Sequence, residues 1–312
     1  MLTLRAGSSC VVVVPEHGAG ITGWLLGGTA LLRRALPRTA IGGDAHAMGC
    51  FPLLPYGNRI GRARFRWLGA EYALRRNFGD SPHAIHGVGW QRAWTVEAVS
   101  PVAVSLSLTH RPDPSWPFAF DARIEYRLSA EALTVAIELT NRHDTAAPAG
   151  IGVHPFFPKG NDPALRFTAS GVWQNGPDAL PLRHGALPDG WSHRSGRRIA
   201  CSQLDNCFTG WDRTADIVAG PASLRIEASD AFRNLQVFTP DWADFFCVEP
   251  VSHSPDAINR PDLPADQQMD VLAPGQTLSG TIRLIPRMAL PADQSSNAIA
   301  ASGPDNISTK RT

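Results

Sequence analysis

Short runs in which apolar and polar side chains alternate dominate the chain, and glycine, proline and polar residues separate them. Val102-Ala-Val-Ser-Leu-Ser-Leu and Leu133-Thr-Val-Ala-Ile-Glu-Leu alternate with a period of two, which sets every second side chain on one face of an extended strand. The same reading predicts strands over 10–14, 124–128, 235–238, 245–248 and 281–285. The 28 glycines and 26 prolines fall between these runs, where turns are needed and helices would break. No long stretch sustains a helical repeat. The pattern predicts an all-β, mostly antiparallel fold, a large sandwich rather than alternating β and α elements.

The pattern also divides the chain. Residues 1–287 read as one β domain. From 288 to 312 the composition shifts to Ala, Ser, Asn and Asp with almost no large apolar side chains, too few to offset the entropy of ordering, so a disordered tail is expected. Asn306-Ile307-Ser308 in that tail matches a glycosylation sequon, which reads as chance because no secretion signal precedes the domain.

Composition narrows the function classes. A net charge of +1 gives no global electrostatic case for nucleic acid or an anionic membrane. The five cysteines are scattered and contain no C-x-x-C pair, which argues against a disulfide framework or a cysteine-rich zinc site and fits a reducing compartment. The first residues lack a basic segment followed by a long apolar run, and no run is long enough to span a bilayer, so a cytoplasmic location is expected. Gly18-Ala-Gly-Ile-Thr-Gly23 matches the G-x-G-x-x-G dinucleotide fingerprint. The segment after it reads as a strand and turn rather than a helix, so the glycines are expected to build a turn between strands. Neither a G-x-S-x-G elbow nor a phosphate-binding P-loop occurs.

Reactive side chains gather in Tyr56-Gly-Asn-Arg59-Ile-Gly-Arg62, His83-Ala-Ile-His86-Gly-Val-Gly-Trp90, Gly150-Ile-Gly-Val-His154-Pro-Phe-Phe157 and Cys247-Val-Glu249-Pro-Val-Ser-His253, with Leu204-Asp205-Asn-Cys-Phe208 as a weaker fifth. Each has a bland reading: Arg59 as a surface ion-pair partner, His154 as a hydrogen-bonded core histidine, and His83 and His86 as structural residues rather than metal ligands. Glu249 is harder to set aside. It ends an apolar strand and precedes a proline, and a carboxylate buried there must be paired or functional.

Taken in order, the N-R-I, H-G-x-G-W, H-P-F-F and C-V-E-P segments resemble the aldose 1-epimerase (galactose mutarotase) family over about residues 1 to 287. The resemblance implies a galactose mutarotase-like β-supersandwich with an open sugar cleft. It implies an isomerase that interconverts the α and β anomers of a free aldose by opening and reclosing the ring, with no metal or other cofactor. Residue by residue, it makes Glu249 the catalytic base and His154 the catalytic acid. It sets His86 near the reacting edge of the monosaccharide, and Arg59 and Asp205 on its hydroxyls. Trp173 is a candidate stacking surface for the sugar ring. The continuation Pro158-Lys159-Gly160 and the segment Asp205-Asn-Cys-Phe-Thr-Gly-Trp211 look closer to a less characterised bacterial branch than to typical galactose mutarotases. A monomer or homodimer is expected. Two alternatives stay open: a hexose-6-phosphate mutarotase using Arg59, Arg62, Arg64 and Arg66, and a non-catalytic sugar-binding protein on the same fold.

Overall fold

The computed structural model describes residues 1–35, 47–160, 162–219 and 222–288. Two large antiparallel sheets carry the architecture. The 11-stranded sheet runs in the order Leu2–Ala6, Ser9–Val14, Gly20–Leu26, Cys50–Leu53, Gly152–Pro158, Phe245–Val251, Asn234–Phe238, Asp205–Thr209, Gly171–Asn175 and Pro181–Gly185, with Thr29–Leu32 branching from the third strand. The 9-stranded sheet runs Thr95–Val99, Ala103–His110, Phe120–Leu128, Leu133–Asn141, Thr277–Met288, Ala222–Ala228, Thr214–Ala219, Ala164–Phe167 and Arg197–Arg198. Among the described residues no helix is long and apolar enough to cross a membrane.

Period-two patterning explains the second sheet. Phe120–Leu128 and Leu133–Asn141 bury every other residue, and the cross-strand partners Ile124 and Ile137 point into the space between the sheets. Each such buried side chain contributes about 1.5–3 kcal/mol of transfer free energy. The middle of the first sheet is different. Cys50–Leu53, Gly152–Pro158 and Phe245–Val251 are buried along almost their whole length, so they carry continuous apolar runs instead of alternation.

Alternate side chains of these central strands go to separate clusters. Val153, Phe157, Phe246 and Val248 join the main core with Val11, Trp24, Leu106 and Ile124 from both sheets. Phe51, Leu53, Phe156, Cys247 and Val251 form a second cluster on the opposite face, closed over by Ile85 and Trp90. The chain from 54 to 90 folds back across this face. Leu54 O accepts hydrogen bonds from Val88 and Gly89 at 2.9 and 3.1 Å, and Arg59–Ile60 pairs antiparallel with Ala84–Ile85.

The fingerprint-like glycines build no nucleotide loop. Gly20 begins the strand Gly20–Leu26, which pairs with Ser9–Val14, and Gly18 has φ +65° at a point where a Cβ would lie 2.0 Å from Trp90 O. They supply a turn and a close backbone approach. The last described strand is Thr277–Met288. The rest of the expected tail, with its sequon, lies outside the described residues.

Candidate active site

The second face of the large sheet is the floor of a cavity of about 460 Å³, within the roughly 300–1,000 Å³ typical of small-molecule clefts. Sheet register explains which residues reach it. Phe245, Cys247, Glu249 and Val251 alternate with core-facing Phe246 and Val248, so the carboxylate stands on the cavity side of a strand otherwise committed to packing. Gly152 pairs with Val251 and Phe156 with Cys247, a register that sets His154 opposite Glu249. His154 Nε2 lies 3.4 Å from Glu249 Oε1. On the next strand Gln236 pairs with Glu249, and beyond it Asp205 pairs with Phe238.

The electrostatics of the pair follow from burial. Glu249 is 2% exposed, and its Oε2 is a buried oxygen with no hydrogen-bond partner among the described residues. Loss of water pushes its pKa well above the ordinary carboxylate value; the charge of Asp205 pushes the same way and Arg59 opposes. His154 is held between rings, stacked on Phe156 at 4.5 Å and tilted against Phe51 at 4.7 Å. Its imidazole therefore has a fixed orientation over Glu249. Burial also pushes the Cys50 and Cys207 thiols up to about 12 and raises Cys247 well above the ordinary thiol value, which leaves them protonated and poor nucleophiles.

The polar wall comes from the folded-back segment and the third and fourth strands of the floor. Arg59 Nη2 donates to Asp205 Oδ2 at 3.4 Å, and Gln236 Nε2 donates to Asp205 Oδ1 at 2.8 Å. Gln236 Oε1 is buried without a partner among the described residues, a second acceptor beside Glu249. The backbone N–H of Asn58 donates to His86 Nδ1 at 3.1 Å, so neutral His86 carries its proton on Nε2. The His86 ring stands edge-on to His154, with centroids 5.1 Å apart.

His86 sits at φ +60°, a conformation uncommon for a residue with a side chain. The next residue helps to fix it: Gly87 has φ +69°, and a Cβ there would meet Leu54 O at 2.1 Å. Gly87→Ala is expected to destabilise the fold by at least the about 1–3 kcal/mol of left-handed strain. Thermal melts check this; a wild-type melting temperature would refute it. His253 supports the same region. Its Nε2 accepts from Gly57 N–H at 3.1 Å and its Nδ1 donates to Ser254 O at 2.8 Å. Burial lowers its pKa to about 4, which keeps it neutral and able to accept.

The structure brings Glu249, His154, His86, Arg59 and Asp205 to one cavity. It does not bring Trp173 there. That indole is 6% exposed and does not line the cavity; its Nε1 donates to Gln267 Oε1 at 2.9 Å, and its ring is tilted against His184. Its strand turns the ring towards Gln267, and its carbonyl accepts from Asn206 Nδ2 at 2.8 Å. Phe156, Phe238, Phe245 and Trp242 supply the aromatic lining instead. Arg62, Arg64 and Arg66 are exposed and away from the cavity lining, and Arg64 faces Glu71 at 3.6 Å. His83 uses both ring nitrogens structurally, accepting from Arg62 N–H and donating to Asp178 O.

Sequence reasoning missed Gln236, Asn58 and Arg33 on the lining. A signal existed for Gln236: an amide inside Asn234-Leu-Gln-Val-Phe is a polar group in a buried strand and needs a reason to be there. Arg33 gave none. Its guanidinium lies over Phe156 and Phe245 at 4.0 and 4.4 Å, and its Nη2 donates to Met48 O at 2.7 Å.

A broad antiparallel double sheet with a buried carboxylate–imidazole pair on the floor of an open cleft is a galactose mutarotase-like architecture. Comparison with known proteins places the chain more closely: it belongs to the aldose 1-epimerase family, whose model matches residues 1–284. YphB, an uncharacterized protein of Escherichia coli K12, is 30% identical over 281 residues, covering 87% of this chain and 93% of that protein. A crystal structure of an Escherichia coli K12 protein with 30% identity has the same fold at a TM-score of 0.83, covering 92% of this chain and 98% of the other. A galactose mutarotase-like protein from Clostridium acetobutylicum shares the fold at a TM-score of 0.81 with 18% identity, over 92% and 94% of the two chains.

Proposed function

We propose that this protein is an aldose 1-epimerase that interconverts the α and β anomers of a free aldose. The observation that carries the reading is the facing pair: His154 Nε2 stands 3.4 Å from Glu249 Oε1, while Glu249 Oε2 is buried on the cavity floor without a partner among the described residues. Anomerisation needs a base and an acid across the C1–O5 edge of the ring, and little else beyond groups that hold the other hydroxyls. Glu249 takes the proton of the C1 hydroxyl as the C1–O5 bond breaks, and protonated His154 gives a proton to O5. The open aldehyde rotates about C1–C2. On closure His154 takes the proton back as O5 attacks C1, and Glu249 returns its own to the carbonyl oxygen. The pair ends as it began.

Arg59 and Asp205 bind ring hydroxyls, Gln236 accepts from one, and the Nε2 proton of His86 reaches an oxygen near the reacting edge. A pure sugar binder needs no matched proton donor and acceptor, which favours catalysis over the non-catalytic reading. The buried free thiols of Cys50, Cys207 and Cys247 suit a reducing compartment, and a cytoplasmic location belongs to the same proposal.

Polarimetry on freshly dissolved α-anomers of galactose, glucose, arabinose and fucose tests the activity and ranks the sugars, and glucose 6-phosphate beside glucose tests the phosphorylated alternative. No acceleration above the buffer rate on any of them would refute the proposal.

The charges around Glu249 predict opposed pH effects. Glu249 must be ionised to act, so kcat falls as pH drops through its raised pKa. Asp205→Asn removes an effect that raises it and is expected to move the acidic limb of the kcat profile to lower pH. Arg59→Gln removes one that lowers it and moves the limb to higher pH. Limbs that shift in the same direction would contradict this.

A further inference from the structure

Cys247 is a buried thiol that the proton-transfer scheme leaves unused. It shares the cavity-side face of its strand with Glu249, two residues on, and its strand partner Phe156 is two residues from His154. One donor atom each from His154, Cys247 and Glu249 all lie within 4.8 Å of one another, and all three residues are buried. We propose that these residues form an inhibitory site for a thiophilic divalent cation such as Zn²⁺ or Cd²⁺, occupied in competition with the sugar.

The geometry supports a tetrahedral ion. Zinc holds imidazole nitrogen and carboxylate oxygen at about 2.0–2.2 Å, which at a tetrahedral angle sets those two atoms about 3.4 Å apart. The His154 Nε2–Glu249 Oε1 separation is 3.4 Å. The Cys247 sulfur, within 4.8 Å of a donor atom of each partner, draws towards them to complete a three-residue set. The fourth position faces the cavity, where a water molecule or chloride completes the shell. A second observation points to a cation independently of this spacing: Glu249 Oε2 is nine-tenths buried and more, has no hydrogen-bond partner among the described residues, and is part of the cavity-lining carboxylate.

Ligand chemistry decides which ions compete. Binding displaces to solvent the thiol proton of Cys247 and the Nε2 proton of the His154 imidazolium; the resulting thiolate and the carboxylate together neutralise the ion's two positive charges. Arg33, whose charge acts on Cys247, and Arg59, whose charge acts on Glu249, weigh against any cation held by charge alone. A soft thiolate favours zinc and cadmium, whereas Mg²⁺ and Ca²⁺ take oxygen ligands and are not expected to bind. The ion occupies both proton-transfer groups at once, so it excludes the C1–O5 edge of the substrate.

The test begins from a full-length Cys10→Ser/Cys201→Ser background, because these two cysteines are the ones not buried. Titration with CdCl₂ is expected to give the ultraviolet thiolate-to-cadmium absorption band at one equivalent, and calorimetry with ZnCl₂ the same stoichiometry. Adding Cys247→Ser or, should that variant not fold, Cys247→Ala, is expected to remove the band and to weaken zinc by more than the roughly 10–100-fold that losing an outer-shell partner costs. In the mutarotation assay zinc raises the apparent KM without changing kcat, and the Cys247 variant keeps its turnover but escapes inhibition. Absence of the band in the background protein, or a band or inhibition unchanged by the Cys247 substitution, would overturn the site. The site shares residues with the catalytic reading, but the absorption and calorimetric results stand whether or not any sugar is turned over. A protein that binds cadmium through Cys247 and anomerises nothing would refute only the enzymatic proposal.

Discussion

Glu249→Gln is expected to lower kcat for anomerisation by about 10²–10⁴-fold, the span that positioned acid–base groups contribute, while sugar affinity changes little. The same substitution is expected to raise the melting temperature. Burial pushes the Glu249 pKa up, so the folded chain holds that proton more tightly than the unfolded chain does. The sign follows: a carboxyl raised in the folded state favours folding below its unfolded pKa, and that benefit is lost as pH rises through the folded value. Above its unfolded pKa the buried carboxyl is therefore a cost, and a neutral amide of the same shape removes it. For a chain of this size each kcal/mol of relief appears as about 2–4 °C. The gain should grow from acidic to mildly alkaline pH. Polarimetry, sugar titration and melts across pH check the three parts together. Near-normal turnover would remove Glu249 from the base role, and a lower melting temperature at alkaline pH would contradict the electrostatic account.

The second large effect is expected at His154. Removing the imidazole deletes the proposed proton donor for O5, and His154→Ala should lose kcat by a similar about 10²–10⁴-fold. Unlike the Glu249 variant, it should also lose stability. The ring fills the gap between Phe51 and Phe156, at 4.7 and 4.5 Å from them, so its loss opens a void costing on the order of 2 kcal/mol. That void is shaped for a flat ring, and added imidazole is expected to restore part of the rate and part of the melting temperature. A variant with full activity and no added imidazole would exclude His154 as the acid.

The two sheets were unequally legible in the chain. Strands such as Phe120–Leu128 and Leu133–Asn141 have one face in the core and one towards water, and their alternation is visible without coordinates. The strands that carry His154 and Glu249 are covered on both sides. In Phe245-Phe-Cys-Val-Glu-Pro-Val251 the apolar run is continuous, and nothing in it separates cavity-facing Cys247 from core-facing Val248. The carboxylate itself stood out because a charged group in such a run is costly without a purpose.

Placement was the harder part. His154 and Glu249 are 95 positions apart in the sequence, and only the pairing of Gly152 with Val251 and Phe156 with Cys247 sets them face to face. That register is a property of sheet order, which local pattern does not carry. Trp173 shows the opposite failure. The chain has nine tryptophans, and residue type alone cannot say that this one turns towards Gln267 while Trp242 reaches the cavity.

The division of the central strands between two clusters has a consequence for how the protein can change. Val153, Phe157, Leu235, Val237, Phe246 and Val248 answer to the inter-sheet core, while Phe156, Gln236, Phe238 and Phe245, on the same strands, answer to whatever fills the cleft. Selection on substrate and selection on folding therefore read alternate letters of the same words. A lineage can change what fills the cleft by drifting at the second set without renegotiating the first, and a library randomised at Phe238 and Phe245 spares both the inter-sheet core and the Phe156 ring that holds His154.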